Sequence, residues 1–342
     1  MNNLTLYTDP TTGYEVRRYT SGSHRNSKLY FTTENFTPDD EFFFMNSQTG
    51  TEGLPTGSLC KVHVETGEVV AAAGSEYKGF AMDRQGAYGV MCKGDVVCRL
   101  DVYTGEITEI GQLPPGGQVT GHLTTADTGR IACSYHLANK IYALVILDPK
   151  TGRSEVVYRS DQRLGHAQIC PTDENLLFYI YETEGDALQR TWMYDIAERH
   201  DRPYYVEHPD EWITHEVWSA DGTRMAFMKL PGRILIGDKD GRHFDIVARH
   251  EQLLHPCISR DNQWLCADRT SYLGTTVQDA IVLANPRTGA TKVLCHTGAP
   301  KTGADHQHPS FDRSGDRIVF NNPDENGTAQ VCVIDLRQVE RP

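Results

Sequence analysis

Short runs in which apolar and polar residues alternate recur along the chain: Lys61-Val62-His63-Val64, Val97-Cys98-Arg99-Leu100-Asp101-Val102 and Val331-Cys332-Val333-Ile334. A period of two is the signature of antiparallel strands buried on one face. Two markers punctuate these runs. The first is a tight turn between two strand-like runs, at Asp39-Asp40, Gln85-Gly86, Thr128-Gly129, Asp173-Glu174, Asp221-Gly222, Asp261-Asn262 and Ser314-Gly315. The second joins an aliphatic strand to a short polar one, at Thr12-Gly13, Thr66-Gly67, Thr104-Gly105, Thr151-Gly152, Asp240-Gly241 and Thr288-Gly289, with a degenerate copy around Arg199-His200. Each marker occurs seven times. The repeating unit is about 40–50 residues, the length of a propeller blade of four short strands.

The pattern predicts an all-β chain, a single seven-bladed β-propeller domain over residues 1–342 with four antiparallel strands per blade. The last unit stops at Asp335-Leu336 without an outer strand, whereas the chain opens on an outer-strand marker, Thr12-Gly13-Tyr14-Glu15-Val16-Arg17-Arg18. The N-terminal strand is therefore expected to complete the last blade and close the ring, which leaves few free sheet edges. The rival arrangements are a pair of two-sheet sandwiches or an open β-solenoid. No long amphipathic helix, low-complexity tract or Pro/Gly/Ser linker divides the chain.

The same repeat organises the histidines. His215, His255 and His308 each stand six residues ahead of a first-marker turn, at Asp221, Asp261 and Ser314, and His166 and His122 hold nearly the same offset. In a propeller the innermost strand of each blade runs along the central channel, so residues at its start line one mouth. His166, His215, His255, His306 and His308 are thus expected to converge around one funnel. Within His306-Gln307-His308, an extended strand would project both imidazoles from the same face. Neutral imidazoles bind divalent first-row metals, and three histidines with open positions form a catalytic rather than a structural set. His255, His306 and His308 are read as that set. His122 is read as a structural histidine bonded within the ring.

Composition narrows the function. A formal charge of −13 and a pI near 5.5 argue against nucleic-acid binding and against a membrane surface, since both attract cations. The opening stretch from Met1 to Pro10 lacks a basic segment followed by an apolar one, and no run approaches a membrane span. The nine cysteines are odd in number, lack Cys-x-x-Cys spacing and fall mostly in strand-like runs, as reduced core residues do. A cytoplasmic protein is expected. The pattern carries no signal for oligomeric state.

Several motifs together resemble the oligogalacturonate lyases, cytoplasmic seven-bladed propellers of pectin breakdown. They are Ser23-His24-Arg25-Asn26, Leu164-Gly165-His166, Gln189-Arg190-Thr191-Trp192, Thr214-His215-Glu216-Val217-Trp218, Leu254-His255 and Asp305-His306-Gln307-His308-Pro309-Ser310-Phe311. The resemblance covers nearly the whole chain. It implies a divalent cation, typically Mn2+, held by His255, His306 and His308 together with a glutamine. This chain has Gly303 where that glutamine stands, so Gln307 or a water would have to replace it. The match makes His215 the base that removes the C5 proton of a uronate, and Arg190 the residue that engages its carboxylate. The stretches between Tyr135 and Leu147 and between Tyr272 and Ala280 are shorter than the family leads one to expect.

The implied reaction is β-elimination on a short oligogalacturonate or a related uronate oligosaccharide, giving unsaturated or deoxy-keto uronates. The C5 proton is acidic only once the carboxylate is neutralised, which suits a metal and an arginine. The leaving O4 needs a proton, from water or from a side chain, for which His166, Lys78 and Tyr77 are candidates. His166, His24, Arg25, Asn26 and Lys78 are expected to line the mouth and bind substrate, with His24, Arg25 and Asn26 as readily pinning the N-terminal crossing. Another three-His metalloenzyme, a hydrolase or isomerase acting on an acidic sugar, and a non-catalytic propeller scaffold are the alternative functions.

Overall fold

The computed structural model describes residues 4–48, 57–182, 187–249, 252–272, 274 and 276–342. Met1–Asn3 of the opening stretch, and Leu273 and Thr275 of the short stretch before Ala280, lie outside the described residues. Seven antiparallel sheets are formed, each from consecutive strands, over 26–73, 77–112, 118–160, 164–203, 212–249, 257–296 and 310–335. These are blades 1 to 7. In every blade the first strand is innermost: Asn26–Lys28, Tyr77–Met82, Gln118–Thr125, Leu164–Cys170, Trp212–Trp218, Cys257–Ile258 and Ser310–Phe311. The seven-bladed propeller read from the repeat is the fold observed.

Both markers do the work their residue types allow. The second marker requires a left-handed residue, and Gly67 meets it at φ 68° without a Cβ penalty. In blade 4, where glycine is absent, Arg199 takes the same conformation at φ 53°. The degenerate copy is a genuine seventh.

Closure differs from expectation by one strand. Glu15–Arg18 pairs antiparallel with Ala329–Asp335, Val16 opposite Ile334, as the fourth strand of blade 7. Thr5–Thr8 then folds back on it as a fifth, Thr5 opposite Arg18. The hairpin turn is held by Asp9, whose carboxylate accepts the backbone N–H groups of Thr11, Thr12 and, from blade 6, His296. The N-terminus thus spans two blades.

The cores lie between blades. Val90 and Val97 of blade 2 pack against Leu123, Ile131 and Ala143 of blade 3. At the closure Phe43, Met45 and Val62 of blade 1 meet Val319, Val331 and Val333 of blade 7. Each such side chain contributes about 1.5–3 kcal/mol on burial. All nine cysteines are free and eight are buried in these layers. Among the described residues no helix is long and apolar enough to cross a membrane.

Candidate metal centre and its cavity

The inner strands do not run straight. Their pairing with the second strand slips between Lys78 and Ala81, Thr120 and Thr124, Gly165 and Gln168, and Thr214 and Val217, in four successive blades. Within each slip one residue is left-handed: Gly79, Gly121, His166 at φ 49° and His215 at φ 59°. His308 repeats it at φ 44°, just ahead of the blade 7 inner strand. Such a bulge bends the strand and re-aims a side chain. A non-glycine residue held there costs of order 1–3 kcal/mol, and such strain clusters at functional sites. Three of the five periodic histidines, His166, His215 and His308, therefore share a backbone conformation as well as a spacing, and His122 and His255 do not.

His255, His306 and His308 come together, buried, with their ligand nitrogens all within 4.8 Å of one another. His306 and His308 lie ahead of the short strand Ser310–Phe311 rather than within an extended one, and it is the left-handed turn at His308 that brings both rings to one point. His255 Nδ1 lies 2.9 Å from Asp268 Oδ2, so Nδ1–H donates to the carboxylate and Nε2 is left free for a ligand. Asp268 Oδ1 also accepts the His255 backbone N–H at 2.7 Å. His306 Nε2 is buried without a hydrogen-bond partner. Three imidazole nitrogen donors, one orphaned and one oriented by a buried carboxylate, suit a divalent transition ion. Burial pushes His255 and His308 well below the usual imidazole range, and His306 below it, so all three are neutral.

The segment is anchored through its backbone. Asn321 Nδ2 donates to the His306 carbonyl at 2.8 Å, and Lys28 Nζ donates to the His308 carbonyl at 2.7 Å and to Ser310 Oγ at 2.8 Å. Lys28 is buried, and desolvation lowers it to about 7. The preceding turn, Gly303–Asp305, is tied down by Arg25, whose guanidinium donates to both oxygens of Asp305 at 2.7 and 2.9 Å. Gly303 brings no side chain to the cluster; the Gln307 Nε2 donates to Thr297 Oγ1 at 2.9 Å and the Gly298 carbonyl at 3.2 Å, while its Oε1 is buried without a partner.

His215 is the neighbour of this set, its ring centre 4.1 Å from that of His255. Its Nδ1 is buried without a partner. Burial first, then the charges of His255 and His166, hold it well below the ordinary imidazole value, and Asp268 offsets this only in part. Next to it Glu216 is fully buried and faces away, one oxygen 2.9 Å from His166 Nδ1 and the other unpartnered.

Beside the histidines opens a cavity of ≈ 440 Å³, within the size range of small-molecule sites. Tyr30, Phe80, His122, Arg163, His166 and Glu182 are among the residues that line it. Arg190 is buried behind this wall rather than in the lining: Nη2 donates to Glu182 Oε1 at 3.4 Å, and Nε is buried and unpartnered. The strand behind is rigidly seated, because Glu207 Oε1 accepts the backbone N–H groups of Arg190 and Thr191, each at 2.8 Å, and Gln189 donates to the Tyr205 carbonyl. His122 Nε2 meets Thr32 Oγ1 at 2.8 Å, and burial lowers it to about 4, in keeping with its structural reading.

Of the residues expected to bind substrate, His166 is in the lining of this cavity, and His24, Arg25, Asn26 and Lys78 are not. His24 is exposed, and Asn26 donates to the His24 carbonyl and to Gln330 Oε1. Lys78 is exposed, one residue before Gly79 and Phe80 of the lining. Lys28, Asp268, Asn321 and Glu182 were not singled out by sequence. Only Lys28 leaves a trace there, as a charge inside an inner strand.

No family model matches the chain. Over 95 residues it is 27% identical to the oligogalacturonate lyase of Dickeya dadantii, an alignment that takes in 28% of this chain and 24% of that enzyme. The aligned segment thus spans about a quarter of the relative's length. In three dimensions the oligogalacturonate lyase of Vibrio parahaemolyticus superposes with a TM-score of 0.86 at 18% identity, covering 99% of this chain and 98% of that one. The chain is similar to the oligogalacturonate lyases. A solved oligogalacturonate lyase in complex with manganese gives a TM-score of 0.85 at 18% identity, over 98% of this chain and 96% of that one. At that identity the two structures establish the fold, and the resemblance read from the motifs is met on both counts.

Proposed function

We propose that the protein is a metal-dependent lyase that cleaves short oligogalacturonates by β-elimination in the cytoplasm. The observation that carries this reading is the convergence of three buried, neutral imidazoles, two of which, His255 and His308, pack on Tyr30 of the cavity lining. A divalent ion held by His255, His306 and His308, manganese by analogy with the solved relative, would supply Lewis-acid neutralisation of the uronate carboxylate. His255 is held for that task by Asp268 and His308 by Lys28.

Arg190 engages the carboxylate, its planar fork displacing the long contact to Glu182. With the carboxylate so neutralised, His215 takes the C5 proton. Its imidazole is neutral and unpartnered, as a general base requires. The C4–O4 bond then breaks and a C4=C5 double bond forms. A net charge of −13 repels an anionic sugar from most of the surface, so recognition rests on the cations local to this mouth.

The test is the ultraviolet absorbance of the conjugated unsaturated uronate, with the ring-opened keto product assayed alongside, on mixing metal-loaded protein with a short saturated oligogalacturonate. Chelator-sensitive appearance of either product is expected. Neither product with metal present would refute the reading.

A further inference from the structure

The elimination leaves one step without a donor: the departing sugar oxygen must acquire a proton. We propose that His166 is the general acid of this reaction, delivering a proton from Nε2 to O4, and that the buried Glu216 positions it. This rests on the lyase reading above and assigns the residue that reading lacks.

Three groups near the mouth were candidates, and their surroundings separate them. Lys78 points to solvent, with the cavity lined by the next two residues. The Tyr77 ring lies under Lys93, 5.7 Å from its ammonium. His166 alone of the three lines the cavity, with 24% of its side chain accessible.

Its two nitrogens have different partners. Nδ1 lies 2.9 Å from Glu216 Oε2, deep in the protein, while Nε2 faces Glu182 of the cavity wall at 3.6 Å. Nδ1–H is thereby held by Glu216 and Nε2 turned to where substrate sits. Burial would raise Glu216, but the His166 bond and the Arg190 charge hold it below the usual range, so it stays an anion able to balance an imidazolium. Its second oxygen is buried without a partner, so its hydrogen-bonding is directed to His166. Glu182 packs over Gly165, where a Cβ would lie 2.5 Å from its Oε2, which keeps the wall close to the ring. The left-handed backbone at His166, φ 49°, matches that of the base His215 on the next blade, φ 59°. Base and acid thus occupy one structural position in adjacent repeats, and Glu216 follows His215 directly in the chain.

The step balances. His215 takes H5, the C5–H electron pair becomes the C4=C5 double bond, and the C4–O4 pair leaves on oxygen. That oxygen takes the Nε2 proton of His166, giving a free hydroxyl and a neutral imidazole, which regains its proton from water through the open cavity.

The test compares leaving groups. Asparagine tolerates the left-handed conformation at this position, so His166→Asn removes the acid with least backbone strain. Each protein is assayed on a saturated oligogalacturonate and on a methyl galacturonoside bearing a 4-O-2,4-dinitrophenyl group, whose phenolate departs without protonation. For His166→Asn the rate on the sugar substrate is expected to fall by about 10²–10⁴, the range of general acid catalysis, and on the dinitrophenyl substrate by less than about 10-fold. Glu216→Gln, which keeps the shape and removes the charge, should show the same selectivity to a smaller degree. Equal losses on both substrates would make His166 a binding residue only, and no loss on either would remove it from the reaction; each overturns the proposal. If the unmodified protein releases product from neither substrate, the lyase reading falls first and this one with it. Metal content and melting temperature, measured on every variant, separate these outcomes from misfolding, and His166→Gln provides a second variant should the first be unstable.

Discussion

The two ends of the central channel are built from the same seven inner strands, yet they have opposite characters. At the starts of those strands lie bulges, five left-handed residues and a cavity of ≈ 440 Å³ with His122 and His166 in its lining. At their ends Arg84, Arg260 and Arg313, from blades 2, 6 and 7, surround Glu34, with Arg84 and Arg260 nitrogens 3.5 and 3.4 Å from its Oε1. The enclosed spaces there are only ≈ 40 and ≈ 20 Å³. Long cationic side chains that bond neighbouring carbonyls fill a channel, as Arg313 does at Phe36 and Arg84, each at 3.1 Å. Glycines such as Gly79, Gly121 and Gly165, and the short rings of His122 and His166, leave it open. The closed end supplies stability, and its left-handed non-glycine residues, Asp40 and Asn262, sit in the tight turns that follow the inner strands rather than in the strands themselves.

That contrast can be broken at several points. The largest effect is expected at His215, where replacement by Ala should cost about 10²–10⁴ in turnover while manganese content and melting temperature stay unchanged. A fully active variant would remove His215 as the base. Next, Asp268→Asn should weaken metal binding by about 10–100-fold, read by competition with a chelator, because His255 loses the group that fixes its tautomer. Unaltered affinity would mean that packing alone orients the ring.

At the other end the readout changes. Arg313→Ala should lower stability by about 2–3 kcal/mol in denaturant titration, through lost charge-assisted bonds, with activity per folded molecule retained. Loss of turnover without loss of stability would show the two mouths to be coupled. The smallest effect concerns the closing hairpin. Burial would raise Asp9, but the N–H groups of Thr12, His296 and Thr11 outweigh it and hold the carboxyl below its usual value. A depressed folded value means that its stabilisation is complete above the unfolded pKa and is lost as pH falls through the folded one. Asp9→Asn should therefore lower the melting temperature at neutral pH and flatten its fall in acid. An unchanged acid profile would move the sensitivity elsewhere.

Much of this was legible in the sequence, and the rest was hidden for identifiable reasons. The blades could be counted because turn chemistry at Thr66-Gly67 or Ser314-Gly315 is local and repeats. The convergence of His255, His306 and His308 followed from placing that repeat on a ring. Thr5–Thr8 escaped notice because an exposed edge strand needs no apolar alternation, as its burial pattern shows. The inner-strand bulges were invisible wherever histidine rather than glycine occupies the left-handed position. Asp268 stands on a second strand, 13 residues from the histidine it orients, and no motif links the two. Arg25 could be read as lining the mouth or as pinning the N-terminal crossing, and the Asp305 it bonds, in the turn that leads to His306, has no motif to announce it.

The claim on which the account turns is that three channel histidines form one metal site. Manganese titration followed by the paramagnetic resonance of the free aquo ion tests it directly, on the intact chain and on His306→Ala. The account predicts one bound ion per chain for the former, and for the latter a signal that rises from the first addition at an unchanged melting temperature. Full-strength binding by His306→Ala, or no binding by the intact chain, would contradict it.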